Sequence, residues 1–326
     1  MPASPKTKVK AGSPKGKKGA KVAPTATALP LLRQSSAAEI SEAEWPTGEG
    51  SSCADDDPLA RAQSPELLAG DLSSLHLASD RGRFSSIINV LRFGAEKERE
   101  DAAGVLLKAA FADTNQQLIA EAGGILPLVD LCRSGTEGQK HNAAAALSIL
   151  SRSDDNAVAI ANLGGVAPLI ELVGGGNAGQ KELAAGTLVN MAFDDGVALA
   201  IAQSGGLAPL LTLTQNGTAG QKVRAAAALR NLAYTESIAI TMTQIGVAPL
   251  VELVCSGSMA AKEQAAGALG NLALVSSNRS PIQQAGGFAA LQALAERGNQ
   301  RQQGVAFTAL QILAHADEVP CVVVKG

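Results

Sequence analysis

Between residues 82 and 317 the chain repeats itself, and the period restricts its fold more than any other feature. Pro127, Pro168, Pro209 and Pro249 are spaced by 41, 41 and 40 residues. Around them stand Gly-Gly-Ile-Leu-Pro-Leu-Val (123–129), Gly-Gly-Val-Ala-Pro-Leu-Ile (164–170), Gly-Gly-Leu-Ala-Pro-Leu-Leu (205–211) and Gly-Val-Ala-Pro-Leu-Val (246–251). A second anchor of the form Ala-Ala-x-x-Leu-x-x-[LM] follows in each copy, at 143–150, 184–191, 225–232 and 265–272. Weaker copies at 102–109 and 306–313 flank these and bring the count to six units of about 41 residues. A unit this short cannot bury its own apolar face, so the copies must stack into a solenoid.

Each unit reads as three helices. A short helix, such as 156–162, precedes the glycines, which supply the turn that ends it. The proline then falls in the first turn of the next helix, where its missing N–H costs nothing. A turn such as Gly174–Gly179 leads to a third and longest helix, whose Ala and Leu positions at i, i+4 and i+7 mark a buried stripe. Composition agrees: 46% of residues are hydrophobic, yet the aromatics are only six Phe, one Trp and one Tyr. That is too little β-branched and aromatic bulk for a sandwich or barrel core, but small side chains suit closely packed helices.

Charge separates the first 80 residues from the repeats. Residues 1–21 carry seven lysines and no acid, whereas 22–80 carry two arginines and ten acids, a net of −8. Both stretches are rich in Pro, Ser, Gly and Ala, and the composition predicts disorder over 1–80. Residues 81–326 have 18 basic and 20 acidic residues, so the repeats present no strong global field. Residues 318–326 read as a flexible end.

A period near 41 with Gly-Gly-[ILV]-x-Pro-Leu-[VIL] followed by Ala-x-x-x-Leu-x-Asn-Leu-Ala resembles the armadillo repeat. Ala225-Ala-Ala-Ala-Leu-Arg-Asn-Leu-Ala233 and Ala265-Ala-Gly-Ala-Leu-Gly-Asn-Leu-Ala273 carry the likeness most fully. The resemblance covers about 82–317. It implies an all-α, right-handed superhelix of helix triplets whose third helices line a concave groove that binds extended peptides. The implied role is a non-enzymatic scaffold or adaptor. HEAT repeats share the period but have two helices per unit and lack this Asn.

The family's groove positions transfer residue by residue. The Asn that holds a peptide backbone is matched by Asn190, Asn231 and Asn271, while the outer copies hold Lys108, Ile149 and Ile312. An amide suits that task because it donates and accepts without reading side chains; the alternative is that these Asn bond neighbouring repeats and stabilise the stack. Importin-α-like members place Trp four residues earlier to make lysine slots. Here the equivalents are Gly104, Ala145, Gly186, Ala227, Gly267 and Thr308, so that mechanism is absent and the groove is expected to be wider and shallower. His141, Glu182, Arg224, Arg230 and Glu263 complete the expected groove. Scattered charges of this kind also fit an ordinary solvated helix face.

Other signals are weak. Ser4-Pro-Lys-Thr-Lys8 and Ser13-Pro-Lys-Gly-Lys17 resemble histone-tail motifs, so Lys6–Lys21 could contact nucleic acid non-specifically, or serve as a nuclear signal, a transit peptide or a solvated linker. A nuclear transport adaptor and a nucleic-acid-associated factor are the rival functions. The Met-Pro start lacks the N-myristoyl glycine, and no apolar run reaches the roughly 20 residues of a membrane span. Cys53, Cys132, Cys255 and Cys321 form no C-x-x-C pair, which argues against structural zinc or a disulfide framework. Cys132 and Cys255 are expected to be buried at the ends of second helices. His76, His141 and His315 are far apart and suggest no catalytic group. The expectation is a cytoplasmic or nuclear protein with a protein segment as its partner, and no cofactor, metal or small-molecule substrate.

Overall fold

The structure is a computed structural model and describes residues 77–314; of the tail expected at 1–80 only 77–80 are described, and the end expected at 318–326, like Lys6–Lys21, Cys53, Cys321, His76 and His315, lies outside the described residues. Among the described residues every regular element is a helix. Unit 1 comprises α1 (Leu77–Phe93) and α2 (Glu96–Ala110), and unit 2 comprises α3 (Asp113–Glu121), α4 (Ile125–Ser134) and α5 (Glu137–Leu150). Units 3 and 4 repeat the triplet as α6 (Asp154–Asn162), α7 (Val166–Gly175) and α8 (Ala178–Met191), then α9 (Asp195–Gln203), α10 (Leu207–Asn216) and α11 (Ala219–Leu232). Units 5 and 6 are α12 (Glu236–Ile245), α13 (Ala248–Ser256) and α14 (Met259–Ala273), then α15 (Ser276–Gln284), α16 (Gly287–Arg297) and α17 (Gln300–Ala314).

The Gly-Gly pairs do two different jobs. The first glycine ends the short helix in the left-handed region, with φ near 80° at Gly123, Gly164, Gly205 and Gly286, where a side chain would be strained. The second allows close packing: a Cβ at Gly124, Gly165, Gly206 or Gly287 would lie within 2.8 Å of the Cγ2 of Ile119, Ile160, Ile201 or Ile282. Unit 5 has a single glycine, and its turn differs accordingly, with Gly246 at φ 133° before Val247. Unit 1 departs from the expected triplet. Its α1 continues through Gly82, where the other units break, and it begins at Leu77, within the stretch assigned to the tail.

Third helices start on polar caps. Thr136, Asn177, Thr218 and Ser258 each accept a backbone N–H three residues on, which satisfies an orphan donor of the first turn. Their alanines vanish into the stack: Ala144, Ala185, Ala226 and Ala266 have no exposure. Small residues there let consecutive third helices approach closely. Third helices pack against each other more densely than second helices do, so the stack curves toward the third-helix face, which is the concave one.

Candidate functional site on the concave face

The inner positions of α2, α5, α8, α11, α14 and α17 form rows across the repeats. One row runs Glu100, His141, Glu182, Val223, Glu263. Its members pack onto the following repeat: a Cβ on Gly138 would meet the Glu100 carboxylate, one on Gly179 would lie 3.2 Å from His141 Cε1, and one on Gly220 would meet the Glu182 carboxylate. Glycine at the second position of these helices is what admits the groove side chains. His141 and Glu182 are half-buried, as is Lys108 at the N-terminal end. Lys97 pairs with Glu100 and Asp101 at 3.2 and 3.0 Å on the same helix, and charge sharing of this exposed kind adds little stability.

The asparagine row is engaged with the stack. Asn231 Nδ2 donates to the Val189 carbonyl at 3.1 Å and Asn271 Nδ2 to the Arg230 carbonyl at 2.8 Å. Asn190 Nδ2 reaches Ser151 Oγ at 3.0 Å and the Ser148 carbonyl at 3.4 Å. Asn231 and Asn271 are buried, at 3% and 1% exposure, while Asn190 is half-buried. The stacking role set beside peptide binding is therefore present in the geometry. Unit 2, with Ile149 in this row, uses another residue: Asn142 Nδ2 donates to the Glu100 carbonyl at 3.1 Å.

The small-residue row corrects the expectation of a wide, shallow groove, because long side chains from neighbouring repeats fill it. Arg230 crosses from α11 onto α14, where a Cβ at Gly267 would lie 2.6 Å from its Nε. Its Nη1 donates to Gln264 Oε1 at 3.2 Å. Arg224 lies over Gly186 at ordinary contact distance, and Asn142 over Gly104. Arg224, Arg230 and Glu263 are buried at 9%, 3% and 8% exposure, far from the solvated face that scattered charges suggested. Burial pushes the Arg230 guanidinium down to about 10, opposed by Glu263, which favours its charge, and assisted by Arg301; it remains a cation at neutral pH. Glu263 Oε1 accepts from Arg301 Nε at 2.7 Å.

Beside Asn190, a cleft of about 300 Å³ opens between α6 and the end of α8, lined by Asp154, Asp155, Asn190, Phe193 and Asp194 among others. On the opposite edge, Cys132 is buried as expected and its thiol is pushed up to about 12 by desolvation. Cys255 corrects the other half of that expectation, since it is exposed at the end of α13. Among the described residues no group of three or more His, Cys, Asp or Glu could hold a metal ion. Among the described residues no single helix is long and apolar enough to cross a membrane.

Sequence reasoning missed the glutamine ladder. Gln139, Gln180, Gln221 and Gln302 each accept the N–H of their own cap residue through Oε1. Through Nε2 each also donates to the preceding third helix, at Glu96, Glu137, Ala178 and Met259 carbonyls over 2.6 to 3.0 Å. The signal was available as [TN]-x-x-Gln before each alanine run, the capping-box pattern. Unit 5 has Ala261 at this position and lacks the rung. Arg301 was also missed, because it falls on no family motif.

These stacked triplets define an α-solenoid of the helical-repeat class. The Armadillo/beta-catenin-like repeat family matches residues 113–152 and 242–274, which are units 2 and 5. An engineered protein from the Northeast Structural Genomics Consortium superposes with a TM-score of 0.67 at 29% identity, covering 71% of this chain and 96% of its own. A designed armadillo repeat protein at 23% identity gives 0.67 over 71% of this chain and 99% of its own. Another, crystallised in complex with peptide (KR)4, gives 0.66 at 22% identity over 71% and 99%. No curated protein matches. Units 2 and 5 thus match the armadillo repeat in sequence, and the whole stack has the fold of designed armadillo repeat proteins.

Proposed function

We propose that the protein is a non-enzymatic interaction scaffold that takes an extended segment of a partner protein along the concave face of its third helices. The observation that carries this reading is the pattern of variation on that face. Positions turned toward neighbouring repeats recur almost unchanged, as in the buried Ala144, Ala185, Ala226 and Ala266. Positions along the inner rows vary instead: Glu100, His141, Glu182, Val223 and Glu263 hold three residue types, and Asp101, Asn142, Leu183, Arg224 and Gln264 hold five. A surface that only held the stack together would repeat with the stack. Differing groups at a regular spacing of roughly 10 Å suit a ligand read segment by segment. Engineered armadillo repeat proteins made for modular peptide recognition use the same fold, which supports the reading. The expected compartment is the cytoplasm or nucleus.

The test compares proteins captured by the full chain with those captured by a variant carrying Glu182→Arg and Arg301→Glu on the concave face. A control carries Glu171→Arg and Glu252→Arg on exposed positions of second helices. Partners lost by the first variant and kept by the second, with unchanged circular dichroism, support the reading. Equal capture by both would overturn it.

A further inference from the structure

We propose that the cleft between units 5 and 6, at the turns joining their second and third helices, binds a small carboxylate that carries an unbranched apolar chain. None of the inner-row residues lines this cleft, so the inference is independent of the concave-face reading.

A cavity of about 450 Å³ opens where the turn from α13 to α14 meets the turn from α16 to α17, within the roughly 300–1,000 Å³ range of small-ligand sites. Val254, Ala290 and Leu294 are buried and make an apolar floor, which Cys255 and the 71% exposed Met259 extend toward solvent. Lys262, half-buried, and Arg297, exposed, bring the charge, and among the described residues no carboxylate lines the space. The polar amides there are already committed. Gln302 donates to the Met259 carbonyl at 2.8 Å and accepts the Asn299 N–H at 2.9 Å, while Asn299 Oδ1 accepts the Gln302 N–H at 2.9 Å. Among the described residues neither Lys262 nor Arg297 has a side-chain hydrogen bond or ion pair. Two uncommitted cations thus stand beside an apolar floor.

Register shows how far this cleft departs from the earlier ones. Each second helix closes with the same turn, a glycine N–H donating to the leucine carbonyl four residues back at Gly135, Gly176, Gly217, Gly257 and Gly298, so the positions align without gaps. In the place of Ala293 the earlier units have Asp130, Glu171, Thr212 and Glu252. In the place of Arg297 they have Ser134, Gly175, Asn216 and Ser256. Lysine recurs in the place of Lys262, as Lys140, Lys181 and Lys222. The cleft between units 4 and 5 therefore sets Glu252 against its lysine row, whereas the last cleft sets Ala293 and adds Arg297. Met259 replaces Glu137, Ala178 and Ala219, and Cys255 replaces Arg133, Gly174 and Gln215. Relative to units 2 and 3, the last cleft has lost acids, gained a base and become more apolar.

A carboxylate between Lys262 and Arg297 gains charge-assisted hydrogen bonds, and an attached chain removes the floor from water. An ammonium head would meet like charge, and a short anion would leave the floor uncovered.

Cys255 serves as the reporter in the full chain. Alkylation by iodoacetamide is followed at each cysteine by mass spectrometry, with decanoate below its micellar concentration, decylammonium or acetate present. Decanoate is expected to slow alkylation of Cys255 by at least about fivefold, because thiol reactivity follows exposure, while Cys53 and Cys321 keep their rates. Decylammonium and acetate at the same concentration should leave Cys255 unprotected. Ala293→Glu, which restores the acid of earlier units, and Lys262→Gln with Arg297→Gln should each remove the protection, measured against that variant's own rate without additive. Either variant suffices if circular dichroism shows that the other is unfolded. No protection by decanoate, equal protection by decylammonium, equal slowing at Cys53 and Cys321, or protection that survives the substitutions would overturn the proposal.

Discussion

Over Gly186 in unit 3, the nearest side-chain atoms to a built Cβ are Ser148 Oγ at 3.5 Å and Arg224 Cδ at 3.8 Å; over the equivalent Gly267 in unit 5, the Arg230 guanidinium presses in at 2.6 Å. Asn190 is half-buried beside an acidic cleft, while Asn271 is buried and donates to the Arg230 carbonyl at 2.8 Å. Yet the helices of the two units match in length to within one residue, and both units carry the buried alanine stripe. The stack therefore constrains the side chains that touch the next repeat and leaves those facing the groove free to diverge. Units 3 and 5 are one scaffold with two linings.

If the scaffold is shared, its core positions should not tell inner units apart. Leu188→Ala and Leu229→Ala, both wholly buried, should each cost about 2 to 5 kcal/mol, seen as similar shifts in the urea unfolding midpoint. Leu310→Ala in unit 6 should cost less, because this leucine is only partly buried and its unit has one neighbour. Equal losses at all three would break the stacking account.

The linings should separate where the cores do not. Gly267→Ala must displace Arg230 and is expected to destabilise by about 1 to 3 kcal/mol, as overpacking does. Gly186→Ala meets only ordinary contacts and should be neutral, or gain up to about 1 kcal/mol from helix propensity. Thermal melts of the two variants decide the matter, and opposite signs are the expected result. A smaller effect should follow loss of a ladder rung: Gln221→Ala removes a cap interaction and an inter-repeat hydrogen bond, for about 1 to 2 kcal/mol by the same measurement.

Much of this was legible in the sequence. The prolines, the glycine pairs and the alanine anchors recur because backbone turns and helix contacts admit few substitutes, so periodicity alone gave the repeats and their helices. Asn190, Asn231 and Asn271 were found the same way, although which groups their amides meet depends on packing between units. The inner lining was less legible for the same physical reason. Arg230 reads as a surface charge on α11, and only the position of α14 shows that it lies across Gly267. The expectation that small residues leave a wide groove failed there, since the room they leave was taken by side chains some 40 residues away. Cys255 was misjudged because it stands one position beyond the buried row that Cys132 shares with Val254, on the exposed row with Arg133. In unit 1 the helix runs on through Gly82 and Arg83, whereas unit 5 breaks with Val247 at the second position, so the second glycine alone does not set the break.

The most direct test of the concave-face account is site-specific photo-crosslinking of the full chain to a captured partner. A crosslinking amino acid would be placed in turn at Lys108 and Glu182 on the third helices, and at Glu171 and Glu252 on the second helices. The account predicts that Lys108 and Glu182 trap the partner, that the trapped peptides come from one continuous segment, and that Glu171 and Glu252 remain silent. Partner trapped from Glu171 or Glu252, with Lys108 and Glu182 silent, would contradict it.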